Sequence, residues 1–213
     1  MSDKRTRARR AAHSPRPGGA GDARRDALLQ AAVRVVIREG ASGASVRAIA
    51  EEASVSPGSV LYYYDGVDDL VDRALEAVMD RFHDRRLKVV AGGRRPVEKL
   101  AEMIHLGVPD DVGDELRSVY ESIGTARTRP ETRRMHCQVV ERQVTLYRSL
   151  LEVGTESEDF APQHDVGLIA RNLVALEDAY DLYPQLGLSL TGAERRAGVR
   201  AYAELALQCT LPG

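Results

Sequence analysis

Between Asp22 and Gln208 the apolar residues recur at intervals of three and four, and no segment alternates convincingly with period two. That property limits the fold to packed α-helices, because a half-buried strand needs its apolar residues two apart. The first run, from Asp22, sets Leu28, Ala31, Ala32, Val35 and Val36 on one face and stops at Gly40. After the loop GASGAS, Ser45 caps a short helix over Val46–Ala53, with Ile49 and Ala53 four apart. Ser56 then caps, and Pro57 opens, a very short helix over about Pro57–Tyr63. Asp65 or Gly66 starts a long helix over about Val67–Val90, where Asp68 and Asp69 suit the helix dipole. Further helical runs cover about Pro96–Leu106, Asp111–Arg127, Pro130–Val153, Gln163–Leu182 and Gly192–Gln208, each bounded by Gly or Pro. The reading is an all-α chain of about nine helices.

Charge is distributed unevenly. The chain has 213 residues and a net charge of −2. Residues 1–25 hold eight Lys/Arg against two acids, a surplus of six, which leaves −8 for the rest. A basic arm ahead of an acidic body suits a polyanion such as nucleic acid, and a solvated tail has the same composition. Residues 1–21, rich in Arg, Ala, Pro and Gly without an apolar period, read as a disordered basic arm. No apolar stretch follows it, so a secretory signal is not expected, and no run is long enough for a membrane span. Cys137 and Cys209 sit in no metal or redox spacing and fit a reducing, cytoplasmic setting.

The stretch VSPGSVLYYYDG, Val55 to Gly66, spends three of the eight tyrosines at once. Two short helices joined by a three- or four-residue turn make a helix-turn-helix, and the tyrosines lie on its second helix. Val60 and Tyr64 are four apart and share the face that must pack inward, with Leu61 adjacent to it. Ser59, Tyr62 and Tyr63 turn outward, where a tyrosine can meet a phosphate or a thymine methyl. Tyr64 is therefore expected in the core, with Tyr62 and Tyr63 on DNA.

Residues 24–71, RRDALLQAAVRVVIREGASGASVRAIAEEASVSPGSVLYYYDGVDDLV, resemble the TetR family of bacterial transcriptional repressors. The resemblance implies a helix-turn-helix DNA-binding domain over residues 22–70 and a ligand-binding and dimerisation domain over residues 71–213. It assigns Ser45 and Arg47 to backbone contacts, and Ser56, Pro57, Gly58, Ser59, Tyr62 and Tyr63 to recognition-helix positions. This sequence departs from the family pattern at four places. Leu61 stands for the usual Tyr, Tyr64 for Phe, Ser54 for the turn Gly, and Val67 for the Lys that opens the fourth helix. Residues 26–70 hold only Arg34, Arg38 and Arg47 against seven acids. A DNA-binding unit that negative draws its positive charge from elsewhere, and the arm is the candidate.

The resemblance further implies a homodimer, in which the last two long helices pair with their twins. The 163–182 run is apolar on two sides, as a helix between two partners must be. A twofold dimer sets its recognition helices about 34–36 Å apart, matching two half-sites of a double-stranded operator. For a small-molecule effector, the apolar stripes bring Tyr120 and Glu121, then His136, Gln143 and Tyr147, then Glu177, Asp178 and Asp181. Carboxylates mixed with tyrosines beside a pocket favour a cationic amine. On a solvated helix face the same acids hold nothing, and both readings stand at this point.

An enzyme is not expected. The five histidines are scattered, no pair has metal spacing, and no nucleotide loop or Gly-x-Ser-x-Gly occurs. No cofactor or metal is implied. The functional reading is a one-component regulator released from its operator by a small molecule. The alternative is a helical protein-interaction module on the same fold that has lost DNA binding.

Overall fold

The computed structural model describes residues 20–213, which are all-helical. The expected arm over residues 1–21 lies outside the described residues, except that Ala20 and Gly21 already belong to the first helix. In order, the elements are α1 (Ala20–Gly43), α2 (Val46–Glu52), α3 (Pro57–Tyr63), α4 (Val67–Ala91) and α5 (Pro96–Gly107). They continue with α6 (Asp114–Ser122), a 3-10 turn (Ile123–Arg127), α7 (Pro130–Glu156), α8 (Val166–Gln185) and α9 (Gly192–Leu207).

Most boundaries follow local chemistry. Gly40 does break α1, at φ 74, and a turn then carries the chain to Gly43. Gly66 rather than Asp65 precedes α4, at φ 115, without a side-chain cap. The expected single helix over Asp111–Arg127 is two elements. It begins only after Gly113, and beyond Ser122 it tightens into a 3-10 turn. There the Thr125 hydroxyl donates to the Ser122 carbonyl at 2.7 Å, an alternative to continuing the helix. α8 starts three residues later than expected because Asp165 accepts from the Leu168 amide at 2.8 Å and caps it.

Two buried clusters organise the chain. The N-terminal one packs Leu28, Ala32 and Val35 of α1 against Ile49, Val60, Tyr64 and the first half of α4, Leu70 to Val78. The C-terminal one joins Leu100, Met103 and Ile104 of α5 to Tyr147 and Leu151 of α7, Leu173 of α8 and Val199 of α9. α4 is the shared element. Its 25 residues span about 37 Å, with one end in the N-terminal core and Val89 and Val90 against the other. α6 makes a second bridge, since its Ser118 hydroxyl lies 3.0 Å from the Val36 carbonyl of α1. Arg129 makes a third, donating to Asp72 at 2.7 Å and to the Asp68 carbonyl at 2.9 Å from the start of α7. No helix of the described residues is long and apolar enough to cross a membrane.

Candidate DNA-binding helix and effector cavity

The helix-turn-helix is built by its caps. Ser45 accepts from the Ala48 amide at 3.1 Å and starts α2. After α2, Ser54 takes φ 53, the left-handed conformation that a glycine adopts without strain. Ser56 accepts from the Ser59 amide at 3.3 Å, and the two hydroxyls lie 3.0 Å apart, so both side chains are engaged in starting α3. Pro57 takes the first turn, where its missing amide costs nothing.

α3 then divides its side chains. Val60 is fully buried, and Tyr64 is buried with its hydroxyl donating to the Arg25 carbonyl at 3.0 Å. The Arg25 guanidinium lies over the Tyr64 ring, 5.2 Å from its centroid. Tyr62 is 65% exposed. Tyr63 is only half-exposed, packed against the N-terminal core and edge-on to Tyr62 with centroids 5.0 Å apart. Leu61 is not tucked beside the core face but 56% exposed. The outward ridge of α3 is therefore Gly58, Leu61 and Tyr62, with Tyr63 bracing it from below.

The three arginines of residues 26–70 are all in ion pairs. Arg34 and Arg38 reach Glu52 at 2.6 and 3.0 Å, and Arg47 reaches Glu51 at 2.9 Å on the exposed face of α2. Arg47 is thus placed outward, as the motif implies, but with a carboxylate beside it.

The second site is a partly open cavity of about 220 Å³ lined by α4, the end of α5, α6, the start of the 3-10 turn, α7 and α8. Met79, Phe82, Leu116, Val119, Val139 and Val174 give it apolar walls. Six of the residues expected at an effector site line it: Tyr120, His136, Gln143, Glu177, Asp178 and Asp181. Two do not. Tyr147 is fully buried behind the wall, where its hydroxyl donates to Glu177. Glu121 is exposed on the other side of α6, its carboxylate against Gly40 of α1, because neighbours in a helix diverge by ~100°.

Two arginines absent from the expected set complete the site. Arg86 of α4 is buried, paired with Glu177 at 2.6 Å and donating to Gln143 at 2.7 Å. Gly107 makes room for that pair, since a Cβ there would sit 2.1 Å from Glu177 Oε1 and 2.5 Å from Arg86 Nη2. Arg195 of α9 pairs with Asp181 at 2.7 Å and donates to the Pro109 carbonyl at 2.8 Å. The Tyr120 hydroxyl donates to Asp178 at 3.0 Å. Burial pushes the Asp181 carboxyl up to about 7, partly offset by Arg195. It raises Asp178 and Glu177 as well. Asp181 Oδ2 and Arg86 Nε are buried without a hydrogen-bond partner. Both arginines had a sequence signal. Arg86 falls in register with Met79 and Phe82, and Arg195 with Val199 and Ala203, so each is a charge on a buried stripe.

Residues 28–74 match the family model of bacterial regulatory proteins, tetR family. The HTH-type transcriptional regulator PksA of Bacillus subtilis is 27% identical over 165 residues, covering 76% of this chain and 79% of its own. A TetR transcription regulator from Haloarcula marismortui shares the fold with a TM-score of 0.77 at 21% identity, over 88% of this chain and 100% of its own. A regulator from Saccharomonospora viridis in complex with choline gives 0.76 at 20% identity, over 87% and 98%. The FadR regulator of Bacillus subtilis in complex with stearoyl-CoA gives 0.65 at 19% identity, over 85% and 97%. The caps, the turn and the split of α3 into a buried and an outward face are the working parts of a helix-turn-helix, and residues 28–74 form the DNA-binding domain of a tetR-family transcriptional regulator.

Proposed function

We propose that this regulator is a repressor that binds its operator through α3 as a homodimer and releases it when a small monocation enters the cavity. Residues 22–70 are the DNA-binding domain and residues 71–213 the sensing and pairing domain. Tyr62 supplies the outward ring of the recognition helix, and Ser59, Gly58, Pro57 and Ser56 its approach to the backbone. Ser45 and Arg47 contact phosphate from α2, Arg47 by exchanging Glu51 for it. The basic arm supplies the attraction that residues 26–70, with every arginine paired to a carboxylate, do not.

Pairing uses α8 and α9. Leu168 and Leu205 are 50% and 72% exposed on these helices, among the small exposed residues Ala175, Ala197 and Ala201. Two helices with such faces pair closely with their twins in a four-helix bundle.

The observation that carries the effector class is the charge balance of the cavity. Glu177, Asp178 and Asp181 line it, while Arg86 and Arg195 neutralise two of the three. One negative charge remains, with the Tyr120 ring beside it, which suits one positive charge and not a polyamine. The volume lies below the ~300–1,000 Å³ of ordinary ligand clefts, which suits a small amine or quaternary ammonium. The choline-bound neighbour supports the same class. Release follows from α4, which carries Phe82 and Arg86 in the cavity and Leu70 to Leu75 in the DNA-binding core. A ligand that binds better to one setting of α4 shifts the separation of the two recognition helices.

Titration calorimetry with choline, and with its uncharged carbon analogue, tests this. Choline is expected to bind and to lower operator affinity, and the neutral analogue to do neither. Equal binding of the two would refute the cation reading.

A further inference from the structure

The seven residues of α3, Pro-Gly-Ser-Val-Leu-Tyr-Tyr, include no Arg, Lys, Asn, Gln, Asp or Glu. These are the side chains that read purine edges by paired hydrogen bonds or accept from cytosine. The nearest substitutes are engaged. Arg34, Arg38 and Arg47 each hold a carboxylate within 3.0 Å. The Ser56 and Ser59 hydroxyls face one another across the cap at 3.0 Å.

The outward ridge instead presents a saturated side chain. Leu61 is 56% exposed. It cannot turn inward, because Val60 is fully buried and Tyr64 is tied by its hydroxyl to the Arg25 carbonyl, which fixes the rotation of α3. A lone exposed leucine on a protein surface is ordinary. Here it stands three residues from Gly58 and beside Tyr62, on the one face of the helix that enters the groove. The apolar feature of the major groove is the C5-methyl group of thymine.

We propose that Leu61 is a specificity-determining residue that packs on thymine methyl groups, so that the operator half-sites are recognised by those methyls and not by purine edges. The inference rests on the DNA-binding reading above. Its scale follows from the transfer of one methyl from water, about fourfold in Kd for one contact and about fifteenfold for both half-sites.

The test starts with the full-length dimer and a selection from random duplexes. Kd is then measured for the selected site with each dT replaced in turn by dU, which removes only the methyl. Wild type is expected to lose about fourfold at one thymine per half-site. Leu61→Ala, a change at an exposed position, is expected to bind more weakly and to show a dT-to-dU ratio near one there. Tyr62→Ala is expected to keep that ratio. Three results overturn the proposal: a wild-type ratio near one at every thymine, discrimination that survives Leu61→Ala, or a selected half-site without thymine. If no duplex is selected at all, the DNA-binding reading fails first and the inference falls with it.

Discussion

The Arg86–Glu177 pair holds α4 to α8, and its removal has a calculable cost. Their side chains are 7% and 4% exposed. Arg86→Leu leaves the Glu177 carboxylate in the interior with only the Tyr147 hydroxyl as partner, which costs about 3–5 kcal/mol. Removing both charges, in Arg86→Leu/Glu177→Leu, eliminates the stranded charge. Gln143 loses Arg86 in both variants, and in the double one the Tyr147 hydroxyl also loses Glu177, its last partner, at about 1–3 kcal/mol, so the double variant is expected to be about 2 kcal/mol more stable than the single one. The pH dependence follows from the direction of the Glu177 shift. Burial raises its carboxyl in the native state, and loss of Arg86 raises it further. A native carboxyl above its unfolded value favours the protonated fold, so this contribution is present at low pH and is lost as pH rises through the raised value. The deficit of Arg86→Leu is therefore expected to be larger near pH 8 than near pH 5. Urea unfolding at fixed protein concentration measures it, with the m-value as the check on two-state behaviour. A single variant within ~1 kcal/mol of wild type, a deficit independent of pH, or a double variant no better than the single would refute the reasoning.

Three further outcomes follow. Ser54→Gly relieves the left-handed φ of 53 in the turn, and thermal unfolding is expected to shift up by about 2–4 °C for roughly 1 kcal/mol. Gly154→Ala puts a Cβ 2.1 Å from the Phe160 ring, so chemical denaturation is expected to show a loss of about 1–3 kcal/mol from overpacking. Choline affinity is expected to rise between about pH 6 and pH 8, by at most about tenfold per pH unit, because the cavity carries its one net negative charge only when Asp181, its carboxyl pushed up to about 7, is ionised opposite Arg195. A flat calorimetric profile would refute the charge balance drawn for the cavity.

The N-terminal half was largely legible because its signals are local. Ser45, Ser56 and Pro57 each fix a helix start by one hydrogen bond or one fixed dihedral, and α2 and α3 begin where those residues put them. The split of α3 into a buried Val60–Tyr64 face and an outward Tyr62 followed from helical phase alone. Phase was not enough for Leu61 or Tyr63, whose exposure depends on how the buried face of α3 seats against α1 and α4. The break near Ser122 depends on a threonine hydroxyl competing for a carbonyl, which periodicity does not register. In the cavity, Tyr120, His136, Gln143 and the three acids were visible as polar residues bordering apolar stripes. Arg86 and Arg195 left only their register with buried stripes as a signal, since an arginine on a helix reads as surface until a partner 91 or 14 residues away closes on it. Their pairing decides the site, because it turns a triply acidic pocket into a singly acidic one.

The proposed reading of DNA by α3 is tested most directly by fluorescence anisotropy of the purified dimer on the duplex flanking its own gene and on a scrambled duplex, at low and physiological salt, beside Tyr62→Ala. Wild type is expected to prefer the specific duplex by ~10³-fold or more at physiological salt, and Tyr62→Ala to lose part of that preference, beside the share carried by Leu61, while its affinity for the scrambled duplex is unchanged. Equal binding of wild type and Tyr62→Ala to both duplexes would contradict the reading.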